Sequence, residues 1–168
     1  MDTCADQRFE HSVGTLAALG VSAILALVAG ALVYMLDRDW GSTLFLAHWV
    51  QWQPDGAGPF GALGNSLPSL FHAYAFALLL IMLLGRTLRA RLVGTLLWFT
   101  TASALECLQV DTVKTWLAHA PGFPNDTTFL AGIHAYIVNG YFDPGDLVAA
   151  GLGCCSAFAV SFFLEDRP

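Results

Sequence analysis

Residues 12–36 read SVGTLAALGVSAILALVAGALVYML, 25 consecutive positions without a formal charge. As a helix rising about 1.5 Å per residue, this run is long enough to cross a hydrocarbon core about 30 Å thick with some tilt. A soluble amphipathic helix would need a polar face toward water, and this stretch offers none. The eleven residues before it, MDTCADQRFEH, carry three acids and one arginine instead of a basic patch. The apolar run is also too long for a signal core, so the sequence predicts that it stays in the mature protein.

Working outward, three further runs follow the same logic. Residues 67–85, LPSLFHAYAFALLLIMLLG, hold no formal charge, with Pro68 expected near the helix start, where proline is tolerated. Residues 92–110, LVGTLLWFTTASALECLQV, are apolar except for Glu106 and Gln109, and residues 146–164, DLVAAGLGCCSAFAVSFFL, are apolar after Asp146. The expected fold is an all-α integral membrane protein, a single domain over residues 1–168 built as a four-transmembrane-helix bundle.

Composition supports that class. The chain has 168 residues, 56% hydrophobic and only 12% charged, with a mean hydropathy of +0.60, against about 25% charged in soluble domains. A net charge of −6 excludes the clustered basic footprint of a nucleic-acid partner. The four cysteines, Cys4, Cys107, Cys154 and Cys155, lie in the N-terminal tail or in apolar runs, so buried, unreactive thiols are expected, with no disulfide framework. Nothing in the sequence names a cofactor.

Basic residues set the expected orientation. Arg8, Arg86, Arg89, Arg91 and Arg167 fall on the side of both termini and the short GRTLRAR turn, against Arg38 and Lys114 opposite. The positive-inside rule then places both termini in the cytoplasm. The two outer connections, residues 37–66 and 111–145, are too long for slack loops. Phe45, Trp49 and Trp52 recur at helical spacing and predict a short interfacial helix; residues 127–138, TTFLAGIHAYIV, predict another short helix or re-entrant piece. In the last span, Ala150, Gly153 and Ala157 form a small-residue stripe suited to close helix packing.

Polar groups inside spans carry the functional signal, because an ionisable side chain facing lipid costs about 2.5–3.5 kcal/mol on insertion scales. Glu106 lies about 6 Å below the outer end of its span, with Gln109 one turn further out and Ser103 one turn further in. His72 lies about 7.5 Å below the outer end of the second span. Asp143 and Asp146, in YFDPGD, stand at the outer entrance of the last span, Asp146 placed to cap or charge its N-terminus. The matching depths predict one outward pocket shared by His72, Glu106 and Asp146. There Glu106 and His72 are the candidate catalytic pair, and Gln109, Asp143 and Asp146 the candidate binding groups. The competing reading is helix-to-helix hydrogen bonding among the same residues. His48, His119 and His134 pair at no metal-ligand spacing, adjacent Cys154 and Cys155 form no usual metal motif, and no Walker loop, dinucleotide fingerprint or GxSxG appears.

Glu106-x-x-Gln109 late in one span, Phe142-Asp143-Pro144-Gly145-Asp146-Leu147-Val148 opening the last, Gly151-x-Gly153 after it and His72-x-x-x-Phe76 in the second span resemble the VanZ-like family of small membrane proteins. The resemblance covers about residues 67–158. It implies a multi-helix bundle of the cell envelope, in a bacterial inner membrane, and for the founding member a link to glycopeptide resistance. Pro68 and Ser69 stand where an acid and a lysine often precede the histidine, and Ala150 where an asparagine usually follows the aspartate. The loop between spans three and four is enlarged and lacks an expected arginine. The resulting expectation is an envelope protein whose outward pocket handles an envelope lipid or amphiphilic small molecule, with membrane lipids as partners. The alternative is a non-catalytic accessory subunit among the subunits of a larger membrane complex, photosynthetic or respiratory. A proton or ion pathway is a weaker third, because the inner halves of the spans hold no ionisable group.

Overall fold

The computed structural model describes residues 3–37, 58–85, 87–119, 134, 136–138 and 140–164. Among the described residues the regular structure is entirely helical: α1 (Thr3–Asp37), α2 (Ala62–Leu84), α3 (Leu88–Cys107), α4 (Asp111–Ala118) and α5 (Pro144–Phe163). The short helix expected around Phe45, Trp49 and Trp52 lies outside the described residues. Of the stretch 127–138, residues 134 and 136–138 are described and helical.

Among the described residues, three helices are long and apolar enough to cross a membrane: Val13–Asp37, Ala62–Leu84 and Pro144–Phe163. The third expected span is different. α3 begins at Leu88, not residue 92, because the Thr87 Oγ1 caps it by accepting the Ala90 N–H at 3.2 Å. Arg89 and Arg91 therefore sit within its first turn, and with Glu106 near the other end they take α3 out of the clearly apolar class. The expected GRTLRAR turn shrinks accordingly. Gly85, at φ +109°, makes the sharp exit from α2 that a side chain would oppose. Arg91, expected in an exposed turn, is 3% exposed, its guanidinium 4.2 Å from the Phe162 ring centroid.

Two other local expectations change. α2 starts at Ala62, so Pro68 is buried in its interior and removes a backbone hydrogen bond to Gly64. Gly64 and Gly58 leave room for the Asp37 carboxylate, whose Oδ1 accepts the Phe60 N–H at 3.1 Å and ties the end of α1 to the approach of α2. The thiols are not uniformly buried: Cys154 is, whereas Cys107 and Cys155 are exposed.

α2 is the centre of the bundle, packing against α1, α3 and α5, while α3 also packs on α5. Small residues make this possible, since helices in lipid gain most from close van der Waals approach. A Cβ on Gly153 would collide with the Leu70 carbonyl and come within 2.9 Å of the Tyr74 nitrogen; one on Gly94 would lie 3.1 Å from the Ile81 nitrogen. Ala73, Ala77, Ala150 and Ala157 fill the same seams. Across α1 and α2, the Ser22 and Tyr74 hydroxyls hydrogen-bond at 2.6 Å. The outward faces are apolar: Ile24, Leu25, Leu63, Leu83 and Leu96 are exposed.

Candidate functional site

The site forms where α3 ends and α5 begins. α3 stops at Cys107, and Leu108 and Gln109 continue as a tight turn, the Gln109 N–H donating to the Glu106 carbonyl at 3.0 Å. This return keeps both side chains inside: Glu106 is 7% and Gln109 4% exposed. Lys114 of α4 pairs with Asp111 at 2.9 Å, reaches the Gly140 carbonyl at 3.5 Å and lies 4.7 Å from the centroid of the Tyr141 ring. It thereby holds α4 against the segment that leads to α5.

That segment is fastened to α3 by the two polar groups singled out in the sequence. The Glu106 Oε1 accepts the Asp143 backbone N–H at 2.7 Å. A side chain at Gly140 would overlap the Gln109 amide, so glycine is required for the close pass. Asp143, not Asp146, is the N-cap of α5: its Oδ1 accepts the Gly145 N–H at 2.8 Å, with Pro144 opening the helix. Asp146 is one position too deep for that role, and instead places its carboxylate in the first turn, where the helix dipole favours a negative charge.

α2 completes the enclosure. His72 lies on the α1 side of Phe76, their ring centroids 6.5 Å apart, and Phe76 stacks on Trp98 of α3 at 4.4 Å. Gly30 of α1 faces the imidazole of His72. Together Ser69 and His72 from α2, Trp98 and Glu106 from α3, Tyr136, and Asp146 from α5 line a cavity of about 140 Å³. It lies in the half of the bundle opposite the α2–α3 turn. Of the five candidates read from sequence, His72, Glu106 and Asp146 meet here. Gln109 and Asp143 stand behind the wall: the Asp143 carboxylate caps α5, and the Gln109 side chain hydrogen-bonds Tyr136.

Tyr136 is the functional-site residue that the sequence reading missed. Although Tyr136 is 42% exposed, partial desolvation pushes its phenol pKa up; the Gln109 hydrogen bond works the other way, and the negative charges of Glu106 and Asp146, with Tyr34 of α1, push it further up. At neutral pH it is a protonated hydroxyl donor beside two acids. Its only sequence signal was membership of the short apolar stretch 127–138, which carries no spacing that ties it to α3. Trp98 was likewise read as an apolar span residue, yet its indole N–H is buried and has no acceptor among the described residues. His119 is exposed, with Nδ1 2.8 Å from the Thr115 carbonyl oxygen, and His134 has Nε2 3.4 Å from that of Leu117; neither lines the cavity. His48 lies outside the described residues.

The arrangement offers a carboxylate pair, an imidazole and a phenol around one small space, groups able to exchange protons or hold a polar head group. Comparison with known proteins adds no name: no family model, characterised protein or solved structure matches the chain.

Proposed function

We propose that this chain is a divergent VanZ-like protein of a bacterial inner membrane, with four spans and both termini cytoplasmic, whose outward cavity holds the polar end of an envelope lipid or other amphiphile. The observation that carries this reading is the shared cavity: His72, Glu106 and Asp146, from three different helices, line one space of about 140 Å³ near one end of the bundle. Burying ionisable groups at the edge of a bilayer is costly, and a bound polar head group is a use that offsets it. In this reading Glu106 is the acid or base, His72 its proton partner, Asp146 the rim charge and Gln109 the group that orients Tyr136. α3 is the fourth span: at its cytoplasmic end Arg89 is exposed, where a long basic side chain reaches the head groups, while Arg91 packs over Phe162 and Glu106 near the outer end faces protein.

The test is to purify the chain in mild detergent and identify retained amphiphiles by mass spectrometry, comparing wild type with Glu106→Gln and His72→Gln. Wild type is expected to retain a defined species that both substitutions deplete. Equal retention in all three would overturn the pocket.

A second reading, the accessory subunit of a larger membrane complex, is favoured by one feature. Along α1, Val21, Ile24, Leu25, Val28 and Leu32 are all at least half exposed, a continuous apolar face that a neighbouring subunit's helices could cover as well as lipid. Recovery of the 18.0 kDa chain in fixed stoichiometry with other proteins favours this reading over the first.

A further inference from the structure

α1 and α2 leave between them an open groove of about 330 Å³, lined by Leu25 and Ala29 of α1 and by Leu70 and Phe71 of α2, with Ser22 and Tyr74 supplying the only polar side chains of its lining. No residue lines both this groove and the cavity. The depth of the polar pair decides what can reach it. Ser22 stands three residues from the midpoint of the span Val13–Asp37, and Tyr74 one residue from that of Ala62–Leu84, which at about 1.5 Å per residue puts both within about 5 Å of the bilayer centre. The ester oxygens of ordinary lipids lie at the edge of the hydrocarbon core, about 15 Å away, and an acyl chain carries no acceptor.

A count of protons defines what the groove lacks. The Ser22 and Tyr74 hydroxyls carry two protons and share one hydrogen bond, 2.6 Å long. Whichever oxygen donates, one O–H is left over, and among the described residues no acceptor takes it. In hydrocarbon, where water does not compensate, such a donor is costly. An apolar molecule dissolved in the bilayer and carrying an oxygen of its own removes that cost. A flat ring with a carbonyl fits best: the carbonyl accepts the spare proton and brings no donor, and the ring's faces suit Phe71, Tyr74 and the aliphatic walls. The volume falls within the range of small-molecule sites, about 300–1,000 Å³.

We propose that this groove binds the ring of a membrane quinone, one ring carbonyl accepting the spare O–H of the Ser22–Tyr74 pair. The assignment goes beyond the amphiphile cavity and does not rest on it, because the two sites share no lining residue. The hydroxyl pair thus has two roles, joining α1 to α2 and presenting one donor to the groove.

The test uses the full chain in mild detergent, titrated with a decyl-substituted benzoquinone isotopically labelled at its carbonyls, with protein-free micelles as the blank. Decylbenzene and decanol are the comparisons. The quinone should bind saturably, and one carbonyl stretch should move to lower frequency as it accepts the hydrogen bond. Decylbenzene, with the same chain and no acceptor, should bind more weakly by about fivefold or more, the worth of one hydrogen bond. Ser22→Ala and Tyr74→Phe each break the bond between α1 and α2 yet leave one O–H donor, so each should keep quinone binding. The double variant breaks the same bond and leaves no donor, so it should lose the carbonyl shift and bind about fivefold more weakly. Any loosening of the two helices is common to all three variants, which separates a lost donor from a lost helix contact. Ala29→Leu, which fills the groove and keeps the hydroxyl pair, should abolish saturable binding. An unshifted carbonyl stretch, undiminished binding in the double variant, or decylbenzene binding as tightly as the quinone would overturn the site. Decanol binding as tightly as the quinone would make the occupant a hydroxylated lipid and overturn the ring assignment.

Discussion

Glu106 has two jobs that different substitutions pull apart. Its Oε1 accepts the Asp143 N–H at 2.7 Å, and its carboxylate lines the cavity. Gln preserves an acceptor and removes the charge, whereas Leu removes both and leaves a partly buried N–H unsatisfied, at a cost of about 1 kcal/mol. Thermal unfolding in detergent should therefore rank wild type close to Glu106→Gln and well above Glu106→Leu; equal melting of the two variants would mean that the Asp143 hydrogen bond contributes nothing. At Tyr136, desolvation and the neighbouring acids raise the folded pKa above the ordinary tyrosine value of about 10. The sign follows: the folded state holds this proton more tightly than the unfolded chain does. The resulting stability is present in full below the unfolded pKa and is lost as pH rises through the higher folded value. Alkaline titration followed by tyrosinate absorbance should show a late-titrating tyrosine that disappears in Tyr136→Phe. If the two curves differ by a tyrosine of ordinary pKa, the burial and charge argument fails.

At the scale of elements, the seam between α2 and α5 is the most sensitive. Gly153 passes so close to the Leu70 and Tyr74 backbone that even a methyl group does not fit. Gly153→Leu should force the helices apart and destabilise the fold by about 1–3 kcal/mol or more, while Leu152→Ala on the exposed side of the same helix should change little. Comparable melting temperatures for the two variants would contradict the packing. The start of α5 is a second, smaller lever. Asp143→Ala removes the cap on Gly145 and should cost about 1 kcal/mol, more than Asp146→Asn, which keeps the cap. Because the same short segment carries the cap, the Glu106 contact and Tyr141, its placement sets the position of Asp146 in the cavity.

For the whole molecule, the proposed topology makes a simple expectation. Arg89 is exposed near the start of α3, on the side assigned to the cytoplasm by the basic residues. Arg89→Cys in a background with Cys4, Cys107 and Cys155 replaced should resist membrane-impermeant thiol reagents in intact cells and react once the membrane is opened. Strong labelling from outside would invert the orientation and turn the cavity toward the cytoplasm.

Membrane class was legible in the chain alone, because an uncharged run of 25 residues admits few other environments and depends on no distant partner. That His72, Glu106 and Asp146 fall at one level along the bundle was legible for the same reason, as a helix converts residue count into height at a fixed rise. Sequence could not supply azimuth. Whether three side chains at one level share a space depends on how each helix is rotated about its axis, and that is decided by the close contacts of Gly153, Gly94 and Gly30 with α2. Nor could it place Tyr136, whose partner Gln109 lies 27 positions earlier and meets it only because the chain doubles back past Gly140. The helix ends followed the same division. Thr87 and Asp143 moved the starts of α3 and α5 by local hydrogen bonds, and this drew Arg91 out of a turn and under Phe162. Burial of a charge at that point required the neighbouring helix, which only the tertiary structure provides.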